Sequence, residues 1–218
     1  MPDSISPRPA TDPAQQEMIL AAVDKFLERD VAPYAHALEA KDEYPHEIVE
    51  RMKELGLFGA TIGEEWGGLG LDVSTYTKIV ERVSAVWMSV SGIFNSHLIM
   101  AAAVERFGTE DQKKRYLPRF ATGELRGGIA LTEPDAGTDL QGIRTRAEKS
   151  GDGYVLNGTK TWISNSIQGQ ILAVLTKTDP KAEPAHKGMS LFLVEKGDNF
   201  RVTRKLEKLG YKGIDSGE

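Results

Sequence analysis

The chain has 218 residues, of which 40% are hydrophobic and 27% are charged, a balance typical of a globular protein with one or two domains. Its formal net charge of -5 argues against nucleic acid as a partner, because a basic surface is needed to neutralise phosphates. The absence of cysteine excludes disulfides, thiolate nucleophiles, Fe–S clusters and cysteine-based zinc sites, and it favours a reducing, cytoplasmic location.

The N-terminal stretch is rich in proline. Residues 1–13 contain four prolines and no apolar run, so residues 1–12 are predicted to form a disordered lead-in rather than a secretory signal or a transit peptide. The longest apolar runs in the chain, such as residues 129–131 and 171–175, are far shorter than the roughly 20 residues that cross a bilayer. We therefore expect no membrane span.

Residues 13–124 have the apolar spacing of amphipathic helices and are predicted to form a helical bundle. Asp12 and Pro13 supply an N-cap and a first-turn proline for the first helix. Pro45 is predicted to open a second helix that closes at Gly56, since glycine readily adopts the backbone conformation that ends a helix.

The remaining helices of the bundle follow a glycine-rich stretch. Residues 56–70 contain six glycines and are predicted to form a long, structured loop. Asp72 is expected to cap a third helix that extends through Trp87, and residues 93–107 are predicted to form a fourth. Residues 109–112 match the capping box S/T-x-x-E/Q and predict the start of a fifth helix.

Residues 125–218 change in character, with 13 glycines separating short β-rich runs. The predicted strands are residues 127–133, 145–149, 154–157, 159–164, 171–176, 190–195 and 200–204. Their spacing is typical of an all-β barrel or sandwich, so the fold class is predicted to be α+β and multidomain, with a helical bundle followed by a β domain. Asn157-Gly158 forms either a hairpin turn or a bend within one long strand.

The chain ends without a further structural signal. Residues 206–218 form neither a capped helix nor a complete strand in this prediction, and a β domain that ends there leaves an unpaired sheet edge. We therefore expect the chain to be a truncated piece of a longer protein.

Several common kinds of site have little support. The four histidines lie far apart, so no metal site is predicted. Residues 68–70 lack the third small residue of a dinucleotide fingerprint, and no G-x-S-x-G supports a serine hydrolase. Residues 153–160 resemble a P-loop but place threonine before lysine in a strand context.

The strongest chemical pattern is GIALTEPDAGTDLQG at residues 128–142, together with TWISN at residues 161–165. Pro134 favours a turn, and amides and hydroxyls around it would form one polar rim suited to a flat heteroaromatic ligand. Trp162 offers a large ring face to such a ligand. The alternative is that Trp162 is a core residue and the first stretch is an ordinary turn.

Four motifs together resemble the acyl-CoA dehydrogenase family. They are LTEPDAGTD at residues 131–139, NGTKTWISN at 157–165, EEWGGLG at 64–70 and FGTEDQKKRYLP at 107–118, and the likeness covers residues 13–218 in the family's order. The resemblance implies a helical N-terminal domain, a β-barrel middle domain and a C-terminal four-helix domain, with FAD at their junction. Only the first two domains are expected in this chain.

The resemblance also implies which residues bind FAD. Backbone amides near Leu131 and the Thr132 hydroxyl should face the polar edge of the isoalloxazine, and Trp162 should flank the ring. Thr138 should reach the cofactor phosphates or the acyl-CoA substrate. Asp135 and Thr138 depart from the small residue and the serine that are frequent in the family, without abolishing binding. The full predicted cofactor-binding set is Ile129, Ala130, Leu131, Thr132, Gly137, Thr138, Trp162, Ile163 and Ser164.

The activity implied by the resemblance is α,β-dehydrogenation of an acyl-CoA thioester, in which a carboxylate removes the α proton and the β hydride passes to the flavin. This role belongs to fatty acid β-oxidation, with an electron-transfer flavoprotein as the electron acceptor and a homotetramer or dimer as the full-length assembly. The base should lie beyond Glu218, so no catalytic residue is predicted here and Glu133 is interpreted as fixing the turn. The alternatives are a flavin oxidase or monooxygenase of the same architecture, and a non-catalytic assembly fragment.

Overall fold

A computed structural model describes residues 8–218, so the lead-in prediction for residues 1–7 lies outside the described residues. The chain divides into two compact units. Among the described residues, the helical unit comprises residues 8–126 together with Glu207–Ile214, and the sheet unit comprises Gly127–Leu206 together with Asp215–Glu218. Helices followed by strands were predicted, and this order is confirmed.

Within the described residues, the helical unit contains five α-helices. They are α1 (Pro13–Phe26), α2 (Ala32–Lys41), α3 (His46–Glu54), α4 (Val73–Phe107) and α5 (Glu110–Ala121). The predicted N-caps are confirmed, because Asp12 accepts from the amides of residues 14 and 15, and Asp72 accepts from those of residues 74 and 75. Thr109 and Gln112 form the predicted reciprocal capping box.

The region between α1 and α3 differs from the prediction, which contained no separate helix there. Leu27–Val31 form a π-helical turn, and α2 begins directly after it. Pro33 lies in the first turn of α2 and has no N–H to donate to the preceding turn, so a regular helix cannot continue across it. Gly56 follows α3 with φ +75°, as its predicted role in ending that helix requires.

Helix α4 joins the predicted third and fourth helices, which meet at a kink. Trp87 has φ -158° and ψ 103°, a non-helical conformation inside the element. By length and composition α4 could cross a membrane, but 61% of its most apolar window is buried inside the structure. The central helix of a soluble bundle has the same properties, so this similarity is weak support for a membrane span.

Residues 8–12 differ from the predicted disordered lead-in, because they contact the helical unit. The Arg8 Nη2 atom forms an ion pair with both carboxylate oxygens of Glu105, at 2.7 and 2.8 Å. The amide and hydroxyl of Thr11 donate to Asp72 at 3.0 and 2.6 Å. These side-chain contacts attach the stretch to α4, and they cannot be deduced from local composition.

A C-terminal segment, Glu207–Ile214, also packs within the helical unit, although the sequence assigned it to the β domain. The Glu39 carboxylate accepts from the amides of Lys212 and Gly213 at 3.0 and 3.2 Å. The same carboxylate accepts from the Trp87 indole N–H at 2.9 Å and from the Ser89 hydroxyl at 3.1 Å. One side chain of α2 therefore holds both the kink in α4 and this segment.

The sheet unit contains seven strands. They are β1 (Gly127–Ala130), β2 (Arg146–Ser150), β3 (Gly153–Asn157), β4 (Ile163–Ser164), β5 (Ile171–Lys177), β6 (Met189–Glu195) and β7 (Ser216–Gly217). β5 is central: it pairs parallel with β1 and β2 and antiparallel with β6, while β2 and β3 form an antiparallel hairpin. β4 pairs antiparallel with β7 in a separate two-stranded sheet.

The strands form an open sheet, so the word barrel describes this unit only loosely. The predicted strand at residues 159–164 is reduced to β4, and residues 200–204 are not a strand. The short strand β7 was not predicted, because its hydrogen bonds come from residues far away in the sequence. Asn157 is the last residue of β3 and Gly158 follows it, so this pair is not the hairpin turn, which lies at residues 151–152.

Candidate functional site

The predicted rim begins where β1 ends at Ala130. The chain then turns through residues 133–136. The amide of Glu133 donates to the Ala136 carbonyl at 2.8 Å, and the amide of Ala136 donates to the Glu133 carbonyl at 3.2 Å. Pro134 lies inside this turn, as predicted. A Cβ added at Gly137 would meet no atom within 4 Å, so the backbone after the turn is open to approach.

The second predicted segment lies directly beside this rim. The amide of Thr161 donates to the Thr132 carbonyl at 2.9 Å, and the Asn165 side-chain amide donates to the Gly127 carbonyl at 2.9 Å. The first and last residues of 161–165 are therefore hydrogen-bonded to β1 and to the chain just after it, although the partners lie 29 and 38 residues apart along the chain.

Trp162 is 57% exposed, between the buried residues Thr161 and Ile163. Its backbone has φ +60°, in the left-handed region, which costs a non-glycine residue roughly 1–2 kcal/mol. The structure thus excludes the alternative that Trp162 is a core residue. A strained backbone that presents a large aromatic ring to solvent is typical of a ligand-binding position.

Two residues of the predicted cofactor-binding set have their side chains in the core instead. Ala130 and Ile163 are 1% and 4% exposed, and they pack with Leu172 and Val174 in one apolar cluster. The alternation of side chains along a strand explains this, because neighbouring residues point to opposite faces. The side chains of Ala130 and Ile163 therefore belong to this cluster, which also lines a cavity of the sheet unit.

The rim presents hydroxyl groups to solvent. Thr132 and Ser164 are half-buried and Thr138 is exposed, and within residues 8–218 their hydroxyls form no hydrogen bond. Hydroxyls both donate and accept, so they suit the alternating polar edge of a flavin and the oxygens of its phosphates. An open turn, unused hydroxyls and an exposed indole together fit a flavin.

Glu133 and Lys160 form a buried ion pair behind the rim. The Lys160 ammonium lies 2.9 Å from Glu133 Oε1, and the two side chains are 9% and 6% exposed. Burial raises the pKa of the Glu133 carboxyl, but hydrogen bonds from Thr145, the Arg144 amide and Lys160 more than offset this and hold the pKa at about 2. Glu133 is ionised at neutral pH and fixed in place, in keeping with its interpretation as a turn-fixing residue.

Sequence reasoning did not identify Lys160 or Asn165 as site residues. Lysine side chains ordinarily point to solvent, and the only hint for Lys160 was its place in the motif at residues 157–165, directly before TWISN. Asn165 also has φ +60°, a conformation that asparagine tolerates better than most residues, and a buried side chain that reaches β1.

A cavity of about 840 Å³ adjoins the candidate site within the sheet unit, and its lining includes Ala130, Lys160 and Ile163. It is bounded by β3, β6 and residues 197–203, and its floor includes the apolar cluster around Leu172. Trp162, Thr132 and Thr138 do not line it. The cavity therefore lies against the apolar cluster, whereas the candidate site is the rim that carries Thr132, Thr138 and Trp162.

The chain resembles known proteins along almost its whole length. Residues 13–124 match the acyl-CoA dehydrogenase N-terminal domain, and residues 128–218 match the acyl-CoA dehydrogenase middle domain. The chain is 35% identical over 208 residues to mitochondrial isovaleryl-CoA dehydrogenase from Pongo abelii, covering 94% of this chain and 49% of the relative. It spans about half the length of the curated relatives that it matches.

Solved structures agree with this assignment. Acyl-CoA dehydrogenase from Geobacillus kaustophilus has a TM-score of 0.88 at 38% identity, covering 97% of this chain and 56% of that chain. Acyl-CoA dehydrogenase complexed with FAD from Bacillus anthracis has a TM-score of 0.82 at 32% identity, covering 94% of this chain and 36% of that chain. With both domains matched in order, the chain belongs to the acyl-CoA dehydrogenase family.

Proposed function

We propose that this chain provides the flavin-binding part of an enzyme that carries out FAD-dependent α,β-dehydrogenation of acyl-CoA thioesters. The observation that carries the proposal is Trp162, whose ring is exposed on a left-handed backbone beside the Thr132 rim. The similar Bacillus anthracis structure contains FAD, which supports the choice of cofactor.

Each rim residue has a role under this proposal. Trp162 supplies a planar face for stacking, and the Thr132 hydroxyl and neighbouring backbone amides meet the polar edge of the ring. Thr138, which is exposed after the turn, reaches the cofactor phosphates or the acyl-CoA. Bound FAD would supply the acceptor for the hydride, while these residues orient it and exclude water from one side.

The proton-abstracting base is proposed to lie outside this chain. A general base works best with a pKa near the operating pH, whereas Glu133 has a pKa of about 2 and its carboxylate is fully engaged. An electron-transfer flavoprotein as acceptor, and a dimer or tetramer as the full-length assembly, belong to the same proposal.

Titration of the chain with FAD, followed by quenching of flavin fluorescence, tests this function. Trp162→Ala is expected to weaken FAD binding by about tenfold or more, because the stacking surface is lost. The matched control is Tyr154→Ala, which removes an aromatic ring that is 50% exposed in the same unit. Its FAD affinity should equal that of the wild type.

Two results would count against the proposal. One is a wild-type chain that folds but binds no FAD, and the other is equal loss of affinity in the Trp162 and Tyr154 variants. The second result would indicate non-specific adsorption of flavin to exposed aromatic rings.

A further inference from the structure

Lys160 makes contacts that a surface lysine does not make. Its ammonium donates to the Leu131 carbonyl at 2.9 Å and to Glu133 Oε1 at 2.9 Å, with only 9% of the side chain exposed. Burying an ammonium group is costly unless it is paired and hydrogen-bonded, so these contacts are needed to keep Lys160 in place.

Glu133 extends the connection to a third segment. Its Oε2 atom accepts from the Arg144 amide at 2.6 Å, and its Oε1 atom accepts from the Thr145 amide at 2.9 Å. The pair therefore joins the end of β1, the chain that leads into β2, and the segment that carries Trp162 two residues after Lys160. A displacement of Lys160 would therefore disturb the contacts of all three segments.

The contacts of Lys160 also set the polarity of the rim. The Leu131 carbonyl accepts from Lys160, and the next carbonyl, that of Thr132, accepts from the Thr161 amide. Two successive backbone acceptors are thus directed into the protein. A flavin edge that carries carbonyl oxygens would be repelled by such acceptors if they turned outwards.

We propose that Lys160 is a positioning residue of the flavin site, which holds the Leu131 carbonyl away from the cofactor and fixes the segment that presents Trp162. This inference rests on the proposed function. It assigns to Lys160 a role beyond neutralising Glu133, since a neutral partner for Glu133 would leave the Leu131 carbonyl free to turn.

The test compares FAD affinity with thermal stability in three variants of the chain. Lys160→Met keeps the aliphatic stem and removes the donor, and Lys160→Met/Glu133→Gln also removes the charge left behind. Lys149→Met replaces an exposed lysine on β2 as the control. We expect the FAD dissociation constant to rise about tenfold or more in both Lys160 variants and to stay unchanged in the control.

The double variant separates positioning from charge balance. It should melt closer to the wild-type temperature than Lys160→Met does, because no unpaired charge remains, and yet bind FAD as weakly as the single variant. If the double variant regains wild-type affinity, Lys160 serves only to balance Glu133 and the inference is wrong. Loss of folding in both variants would show that Lys160 is needed only for folding, and the inference would again be wrong. A wild-type chain that binds no FAD would overturn the proposed function itself, an outcome distinct from both.

Discussion

His97 is the buried titratable residue with the clearest consequence for stability. It lies on α4 with no exposed surface, and its Nε2 atom is 3.1 Å from the Phe120 carbonyl. The rings of Phe58 and Phe120 meet it edge-on, each at 5.4 Å between centroids. Burial lowers the pKa of the imidazole to about 4, despite the opposing hydrogen bond to Phe120.

This shift predicts a pH-dependent loss of stability. The folded pKa of about 4 lies below the unfolded value of 6.5, so the unfolded chain binds more protons between these pH values. The contribution is fully present above pH 6.5 and falls as the pH drops towards 4, by about 3 kcal/mol in all. Urea unfolding at pH 7 and pH 4.5 measures it.

His97→Gln is the comparison for this experiment, because glutamine keeps a donor and does not titrate. The variant should lose less stability than the wild type over the same pH interval. An identical pH dependence in the two proteins would show that other groups cause the loss.

The elements of the helical unit depend on both local and distant contacts. Asp12, Asp72 and Thr109 cap helices through bonds to amides two or three residues away, and all three caps were predicted. At the kink, the Trp87 indole donates to Glu39, which is 48 residues distant, and the kink was not predicted. Local caps can be deduced from sequence because both partners lie in one short window.

Glu39 provides a prediction about one element, the segment Glu207–Ile214. Glu39→Ala removes the acceptor for the Lys212 and Gly213 amides, so their hydrogen exchange should accelerate by about tenfold or more. Exchange in β5 should be unaffected. Hydrogen exchange with mass spectrometry reports both regions.

Glu47→Ala is the matched control, since Glu47 is an exposed carboxylate in the first turn of α3. This variant should leave exchange in the segment at the wild-type rate. If Glu39→Ala also left that rate unchanged, the segment would be held by its apolar contacts and not by the Glu39 carboxylate.

At the level of the whole chain, the predicted order of helices and strands is confirmed, and the two stretches that the sequence singled out lie side by side. Repeating apolar positions and glycine content mark that division, and motif spacing marks the rim. The open sheet, β7 and the return of residues 207–214 to the helical unit were missed, because each depends on pairing across a long sequence separation.

For the candidate site too, the sequence indicated the motifs but not the contacts between residues that are distant in the chain. Trp162 and Thr132 are predicted cofactor-binding residues because of their motifs, and this stays a prediction. Lys160 was not assigned a role, because its partners Leu131 and Glu133 lie almost 30 residues away. Ala130 and Ile163 were included through the same family motifs, and their side chains lie in the apolar cluster of the sheet unit.

The most direct test of flavin binding at the rim is the indole N–H spectrum of the ¹⁵N-labelled chain during addition of FAD. The chain has three tryptophans, and Trp162→Phe identifies the signal of Trp162. We predict that this signal shifts as FAD saturates the protein, while the Trp87 signal stays in place because its N–H is bonded to Glu39. An unchanged Trp162 signal at saturating FAD would contradict the proposed site.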